Sequence, residues 1–137
     1  MKVEDIMNHK VESISPGDSI KEAARKMHDL HIGALTVLDG DQLVGIITDR
    51  DICCKVTAIG RDAVMTQVHE IMTKNVITCY SDQDIDDAAD LMMSNRIRRL
   101  AVTTRSDTVA GFLSVDDIAQ TSYDLASNVL ESSAPIH

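Results

Sequence analysis

A hydroxyl residue followed three positions later by an aspartate occurs twice in this sequence, in the same apolar setting. "GIITDRDI" at 45-52 places Thr48 before Asp51, and "GFLSVDDI" at 111-118 places Ser114 before Asp117. At the start of a helix such a pair presents its oxygens on one side, where the carboxylate can accept the hydroxyl hydrogens of a ribose. The same pair can instead cap the helix by satisfying free backbone amides. The two roles can coexist.

A second concentration of functional groups is "NRIRRLAV" at 95-102, which carries three arginines. On a strand, Arg96 and Arg98 would point to one face and Arg99 to the other, so only one face is expected to be functional. The guanidinium fork suits phosphate oxygens, and the alternative is a solvated cluster that pairs with nearby aspartates. The residues that correspond to Arg98 and Arg99 in the first half are Gly33 and Ala34, so the halves differ here.

The histidines give weak grounds for a metal site. His28 and His31 lie three apart near a predicted helix end, and His9 and His69 lie near the start of each half. Scattered histidines at a helix C-terminus more often interact with the helix dipole, so no metal site is predicted.

No set of residues indicates catalysis. The chain shows no activated nucleophile, no acid and base pair and no metal set with persuasive spacing, so no catalytic residue is predicted and the protein is not expected to be an enzyme. Arg50 and Lys55 flank Asp51 and either extend a basic lining around it or are solvated charges.

Composition limits the classes of partner. A formal net charge of −9 argues against binding a nucleic-acid backbone, and two Tyr, one Phe and no Trp leave few rings for stacking on bases. No apolar run is long enough to span a membrane, and nothing resembles a signal peptide. Cys53, Cys54 and Cys79 show no CxxC spacing, so we expect a cytoplasmic protein with buried or idle thiols.

The chain repeats itself at a nearly fixed interval. "VEDIM" at 3-7 matches "VHEIM" at 68-72 with an offset of 65, whereas Gly45 and Gly111 are 66 residues apart. The extra residue falls where "DGDQ" at 39-42 faces "TRSD" at 104-107, which suits a hairpin loop. Halves of about 50 residues are too small to be stable alone, so we expect them to pack together about a pseudo-twofold axis.

Each half predicts the elements β-α-β-β-α. Extended segments at 11-15 and 76-80 precede helices that begin at capping boxes, Ser19 with Glu22 and Asp84 with Asp87. The buried face of these helices is marked by apolar residues at helical spacing: Ile20, Ala23, Ala24 and Met27, then Ile85, Ala88, Ala89 and Met92. A hairpin and a closing helix follow in each half, the helices over 49-56 and 115-125, and "SSAPIH" at 132-137 is expected to be a frayed end.

The tandem β-α-β-β-α units, each closed by G-h-h-[ST]-x-x-D-h, resemble a pair of CBS domains, also called a Bateman module. The likeness covers about residues 3-121 and includes "DIM" and "EIM", "IGALTV" and "IRRLAV", and both closing motifs. It implies an α/β (α+β) fold of two CBS repeats packed by pseudo-twofold symmetry into one module. The repeats are expected over 1-60 with the leader and 68-125, with a linker at 61-67 and a C-terminal tail at 126-137.

The resemblance implies a regulatory module rather than a catalyst. CBS pairs usually bind adenosine-type ligands in two clefts between the repeats, so the implied ligand is AMP, ADP or ATP, with NAD or S-adenosylmethionine less expected, and no cofactor is required. Arg98 or Arg99 would reach ligand phosphates. The ligand-binding residues are expected to be Thr48, Asp51, Ser114, Asp117, Ile32, Gly33, Ala34, Ile97, Arg98 and Arg99.

Assembly as a homodimer is also expected, together with an unknown regulated protein as partner. The closing helices carry Ile52, Val56, Ile118 and Ala119, and apolar faces left uncovered favour a twofold contact between identical chains. The alternative is a structural or interaction module that dimerises and holds no nucleotide.

Overall fold

The structure, a computed structural model, describes residues 1–133. The chain folds into two compact units. We call Glu12–Val76 the first-repeat unit, and Met1–Val11 together with the chain from Ile77 onward the second-repeat unit. Each unit contains a three-stranded sheet and several helices, so the predicted fold class of two β-α-β-β-α repeats is confirmed.

The helices and strands include the predicted β-α-β-β-α series of each repeat, together with a short helix in each leader and one further helix after the second repeat. In chain order they are α1 (Val3–Ile6), β1 (Ser13–Ile14), α2 (Ile20–Leu30), β2 (Ala34–Asp39), β3 (Gln42–Thr48), α3 (Asp49–Ile52), α4 (Val68–Ile71), β4 (Thr78–Tyr80), α5 (Ile85–Asn95), β5 (Arg99–Thr103), β6 (Val109–Ser114), α6 (Val115–Ala119) and α7 (Tyr123–Ser133). A π-helical turn, Cys53–Thr57, continues α3.

The two sheets have the same topology. The first-repeat sheet has the order β1-β2-β3 and the second-repeat sheet the order β4-β5-β6. In each, the first pair of strands is parallel and the second pair is an antiparallel hairpin. Leu35 and Ile47 are fully buried in the first core, and Leu100 and Leu113 are fully buried in the second.

The hairpin loops contain the difference in repeat length. In the first hairpin Val37 pairs with Gly45, and in the second Val102 pairs with Gly111, with one more residue between the partners. The first loop turns tightly at Gly40, whose φ of +63° favours glycine, whereas the longer second loop turns at Asp107, which has the same φ. The predicted position of the insertion is confirmed.

The leaders of the two repeats are exchanged between the units. α1 belongs to the second-repeat unit, where Asn8 forms an antiparallel bridge with Phe112 of β6. α4, the leader of the second repeat, belongs to the first-repeat unit, where Thr73 bridges to Ile46 of β3. Each leader therefore extends the hairpin of the other repeat, and the boundaries of the units differ from those of the sequence repeats.

The predicted closing helix over 115-125 is wrong. α6 ends at Ala119, and the amides of Thr121 and Ser122 both donate to the Ile118 carbonyl before α7 begins. Val129 on α7 is fully buried in the same core cluster as Ile118. The predicted frayed end is also wrong at Ser132 and Ser133, which form the last turn of α7, and its remainder lies outside the described residues.

The premise that the closing helices leave apolar faces uncovered is largely wrong. Val56 is 1% exposed and Ile118 is fully buried, each within the core of its own unit. Ile52 and Ala119 are half-buried. The most buried apolar residues of these helices thus pack within the monomer core and are not exposed for a dimer contact.

The caps of the long helices differ in detail from the prediction. Ser19 accepts a hydrogen bond from the Glu22 amide (3.1 Å), as expected of an N-cap. Asp84 accepts from the Asp86 amide (2.9 Å) rather than from that of Asp87. Both helices still begin where the sequence places them, because either amide satisfies one free donor at the helix N-terminus.

Candidate functional site

Thr48 and Asp51 form a reciprocal pair where β3 meets α3. Thr48 ends the strand and is the N-cap of the helix. Its Oγ1 accepts from the Asp51 amide at 3.1 Å, and Asp51 Oδ2 accepts from the Thr48 amide at 3.0 Å. The capping arrangement is thus present, and it leaves further lone pairs on a carboxylate that is only 13% exposed.

Ser114 and Asp117 repeat this arrangement between β6 and α6. The Asp117 amide donates to Ser114 Oγ at 3.2 Å, and Asp117 Oδ2 accepts from the Ser114 amide at 2.9 Å. Ser114 Oγ also donates to Asp117 Oδ2 at 3.0 Å. Within residues 1–133, Oδ1 of Asp117 makes no hydrogen bond or ion pair, so its lone pairs are unused by the described chain.

The backbone segments predicted to line the site lie beside these pairs. In the first-repeat unit the Gly33 carbonyl accepts from the Asp49 amide at 2.9 Å, and Ala34 pairs with Thr48. Ile32, half-buried, follows the end of α2 and donates its amide to the Met27 carbonyl. The structure therefore places Gly33 and Ala34 next to the start of α3, beside Thr48.

The equivalent segment of the second-repeat unit has the same geometry. The Arg98 carbonyl accepts from the Val115 amide at 2.9 Å, and Arg99 pairs with Ser114. Ile97 is half-buried and donates its amide to the Met92 carbonyl. Each unit thus contains a half-site, which we define as the serine or threonine and aspartate pair together with the adjacent three-residue segment.

The three arginines do not lie on one strand, so that interpretation is wrong. Arg96 ends α5 in the left-handed conformation (φ 54°), and β5 begins only at Arg99. The Nε of Arg98 donates to Ser133 Oγ at 3.1 Å, which holds its guanidinium at the last turn of α7. Arg98 therefore has a structural partner in this unit.

Arg99 differs from Arg98 in that its side chain has no partner within residues 1–133. It is exposed, and among the described residues its guanidinium makes no hydrogen bond or ion pair. Directly opposed residues of an antiparallel pair project from the same face of the sheet. Arg99 therefore projects from the face of Ser114, whose hydroxyl contacts Asp117.

Lys55 gives the first-repeat half-site a feature that the second lacks. Its Nζ lies 3.1 Å from Asp51 Oδ1 and 3.4 Å from the Ile71 carbonyl. The sequence showed Lys55 close to Asp51 but not that the two would pair, although the i, i+4 spacing could have indicated it. Arg50 is exposed and makes no side-chain bond within residues 1–133.

Metal-binding groups are not brought together in the described part of the chain. Among residues 1–133, no group of three or more His, Cys, Asp or Glu side chains is positioned to hold a metal ion. His28 pairs with its exposed neighbour Asp29 (3.1 Å), which is a local surface contact.

The cysteines divide into one buried and two exposed thiols. Cys79 on β4 is 2% exposed, and burial raises its pKa to about 11. Cys53 and Cys54 are exposed, and all three are free. Cys79 is therefore protonated at neutral pH and packs in the second-repeat core as a small apolar residue.

One charged cluster was not anticipated from the sequence. Arg105, in the β5–β6 loop, donates from Nε and Nη2 to the carboxylate of Asp82 and lies 3.9 Å from the centre of the Tyr80 ring. These bonds hold the pKa of the Asp82 carboxyl below its usual range. Because every member has a partner, the cluster fastens the hairpin loop to the turn after β4.

Both strand-to-helix junctions lie within segments that match a known protein family. The CBS domain family profile matches residues 3–56 and 68–124. The chain therefore belongs to the CBS domain family and contains a tandem pair of CBS domains.

Similar proteins support this assignment. The CBS domain-containing protein YhcV of Bacillus subtilis is 36% identical over 117 residues, which cover 85% of this chain and 82% of that protein. A conserved CBS domain protein of Thermoplasma acidophilum superposes with a TM-score of 0.87 at 25% identity, over 96% of this chain and 75% of the other. A putative signal-transduction protein with CBS domains from Burkholderia ambifaria gives 0.81 at 30% identity, over 90% and 96%.

Proposed function

We propose that this protein is a regulatory module that binds an adenosine-type nucleotide at its two half-sites and passes the change to a partner protein. The observation that carries the proposal is the repeated junction in which a half-buried aspartate and a serine or threonine hydrogen-bond to each other at a helix start. In the second repeat, Oδ1 of Asp117 has no partner among the described residues. A carboxylate held in this way can accept ribose hydroxyls without reorganising. Membership in the CBS domain family supports a regulatory role over a catalytic one.

The second half-site has the feature expected of phosphate binding. Arg99 is exposed and uncommitted within residues 1–133, and it projects from the strand face that carries Ser114. Arg98 is bonded to Ser133, and Arg96 lies at the end of α5 rather than on the strand. We therefore assign Arg99, which pairs with Ser114, to phosphate. This favours AMP, ADP or ATP as the ligand over a nucleoside without phosphate, with NAD and S-adenosylmethionine as less favoured candidates.

The direct test is a ligand screen with a matched pair of variants. Isothermal titration of the purified chain with AMP, ADP, ATP, NAD and S-adenosylmethionine should find an adenine nucleotide that binds. Asp117→Asn should weaken binding by about tenfold or more, because a partly buried, charge-assisted acceptor contributes on the order of 1.5 to 3 kcal/mol. Asp116→Asn, at the exposed neighbouring position on α6, is the control and should leave the affinity unchanged. Absence of binding by every ligand would favour the interaction module without nucleotide.

We also propose that the protein assembles as a homodimer. The surface that we assign to this contact differs from the closing helices, which the sequence had predicted. Three large apolar side chains of the 57-67 segment are exposed: Ile59 (66%), Val64 (58%) and Met65 (79%). We assign the dimer contact to this segment, because exposed apolar side chains favour burial against a second copy. The hexameric CBS-CP12 protein of bloom-forming cyanobacteria, 30% identical to this chain, is an example of a self-associating protein of this family.

We also propose a cytoplasmic, non-catalytic protein. Its three free cysteines fit a reducing compartment. Within residues 1–133, no helix has both the length and the apolar composition needed to cross a membrane.

A further inference from the structure

The two half-sites differ in which groups contact the aspartate, although each carboxylate has two such contacts within residues 1–133. In the first, Asp51 Oδ2 accepts from the Thr48 amide and Oδ1 pairs with Lys55 Nζ at 3.1 Å. In the second, Oδ2 of Asp117 accepts both hydrogen bonds from Ser114, and Oδ1 has no partner within residues 1–133. The first carboxylate thus has a cation on the oxygen that the second leaves open.

Lys55 is held toward Asp51 by more than the ion pair. Its Nζ also lies 3.4 Å from the Ile71 carbonyl at the end of α4. The ammonium therefore has two acceptors on different elements of the same unit, while half of the side chain stays exposed (50%). These two contacts hold the ammonium at the half-site, next to solvent.

The second repeat has no equivalent group. The position that corresponds to Lys55, 66 residues later, is Thr121. Thr121 lies in the break after α6, and its hydroxyl donates to the Ile118 carbonyl at 3.1 Å. No cation on this helix competes for Asp117, so the difference between the half-sites arises from one substitution and the local break in the helix.

We propose that Lys55 is an internal competitor for the Asp51 carboxylate, which makes the first-repeat half-site the weaker one for ribose. This inference rests on the proposed function. A nucleoside hydroxyl that approaches Asp51 Oδ1 must share this oxygen with the Lys55 ammonium or displace it, whereas Asp117 Oδ1 has no such competitor within residues 1–133. The Asp117 half-site therefore binds nucleoside at a lower concentration than the Asp51 half-site, and Lys55 sets the difference between the two affinities.

Adenosine is the suitable probe because it has no phosphate with which Lys55 could pair. Asp117→Asn is used as the background, so that the remaining affinity reports the first half-site. In this background, Lys55→Met should tighten adenosine binding about three- to tenfold. This gain is expected because the contribution of the Lys55 contact should lie between that of an exposed i, i+4 ion pair and that of a charged hydrogen bond. Lys74→Met is the control, because Lys74 is exposed in the same unit and its side chain has no partner within residues 1–133.

The outcomes separate this inference from the function on which it rests. Tightening in Lys55→Met but not in Lys74→Met, reproduced by Lys55→Gln, supports it. Unchanged or weaker adenosine binding in both Lys55 variants, with circular dichroism like that of the wild type, overturns it while leaving the proposed function intact. If neither adenosine nor any nucleotide of the ligand screen binds to the wild type or to any variant, the proposed function is wrong and Lys55 has no ligand to compete with.

Discussion

Gly111 lies directly against the backbone of Asn8. The two residues belong to segments that bridge through the Phe112 amide and carbonyl, at 2.9 and 2.8 Å from Asn8. A Cβ placed on Gly111 would lie 2.5 Å from the Asn8 carbonyl oxygen and 2.9 Å from Met7 Sδ. The glycine of the closing motif is therefore required by the leader that packs on it.

Gly45 has the same relationship with the other leader. A Cβ there would lie 2.6 Å from Met72 Sδ and 2.9 Å from the Thr73 carbonyl oxygen. The glycine at the start of "GIIT" and of "GFLS" is thus explained by sterics, because each lies against an "IM" leader that leaves no room for a side chain. The glycine and the methionine of each pair belong to different repeats but to one compact unit.

Alanine at either glycine should destabilise the protein. Because the contacted atoms include backbone, relief requires the leader to shift, and overpacking of this kind typically costs about 1 to 3 kcal/mol. Urea unfolding of Gly45→Ala and Gly111→Ala should show this loss. Gly17→Ala is the control, since a methyl group added at Gly17 would meet no atom within 4 Å. Stability of the two variants equal to that of the control would contradict the explanation.

Arg99 should contribute to nucleotide affinity through phosphate. In Arg99→Gln, AMP binding should weaken by about tenfold at low salt, while adenosine binding changes little, because only AMP carries a charge to pair. Raising the ionic strength should narrow the gap between AMP and adenosine in the wild type. Arg98→Gln, which removes the bond to Ser133, serves as the comparison and should alter stability rather than this ratio. If Arg99→Gln lost the same factor of affinity for AMP and for adenosine, a role of Arg99 in phosphate binding would be excluded.

Cys79 should make the stability of the protein fall at alkaline pH. Burial raises the folded pKa to about 11, above the ordinary value of 9.0, so between these values the unfolded thiol ionises while the folded one does not. The stabilisation is therefore complete below pH 9.0 and is lost as pH rises toward 11. Chemical unfolding across this pH range in the wild type and in Cys79→Ala should show a shallower decline in the variant. Cys53→Ala, at an exposed thiol, should follow the wild type.

Light scattering at micromolar concentration should give a mass near twice 15.0 kDa. Met65→Glu should lower this mass, because burying a carboxylate in an apolar contact is unfavourable. Tyr123→Ser, at an 81% exposed position of the second-repeat unit, should leave the mass unchanged. A monomer with and without nucleotide would overturn the homodimer.

The repeated elements could be predicted from the sequence because their signals are local. Apolar spacing in α2 and α5, a serine or aspartate at their N-caps and two aliphatic runs around a polar turn each act within a few residues. The closing motifs were predictable for the same reason. Thr48 and Asp51 are one turn apart, so their mutual hydrogen bonds depend on no distant contact.

Other features depended on residues far apart in the chain. The break after α6 and the helix α7 were missed because Val115 to Leu125 looks continuous in its apolar spacing. The burial of Val129 in the same core cluster as Ile118 is a tertiary feature that this spacing does not show. The position of Arg98 was missed for a similar reason. Its bond to Ser133 joins residues 35 apart.

The sequence by itself determined the two repeats, their order of elements and the paired residues at each strand-to-helix junction, because periodicity and capping are properties of neighbouring residues. Only the tertiary structure decided which leader packs on which hairpin, which arginine is available and that Lys55 occupies one aspartate while the other stays open. These outcomes depend on distances between segments that are separated by many residues. Local sequence patterns do not distinguish the possible arrangements, whereas steric fit and charge pairing in the folded chain favour one of them.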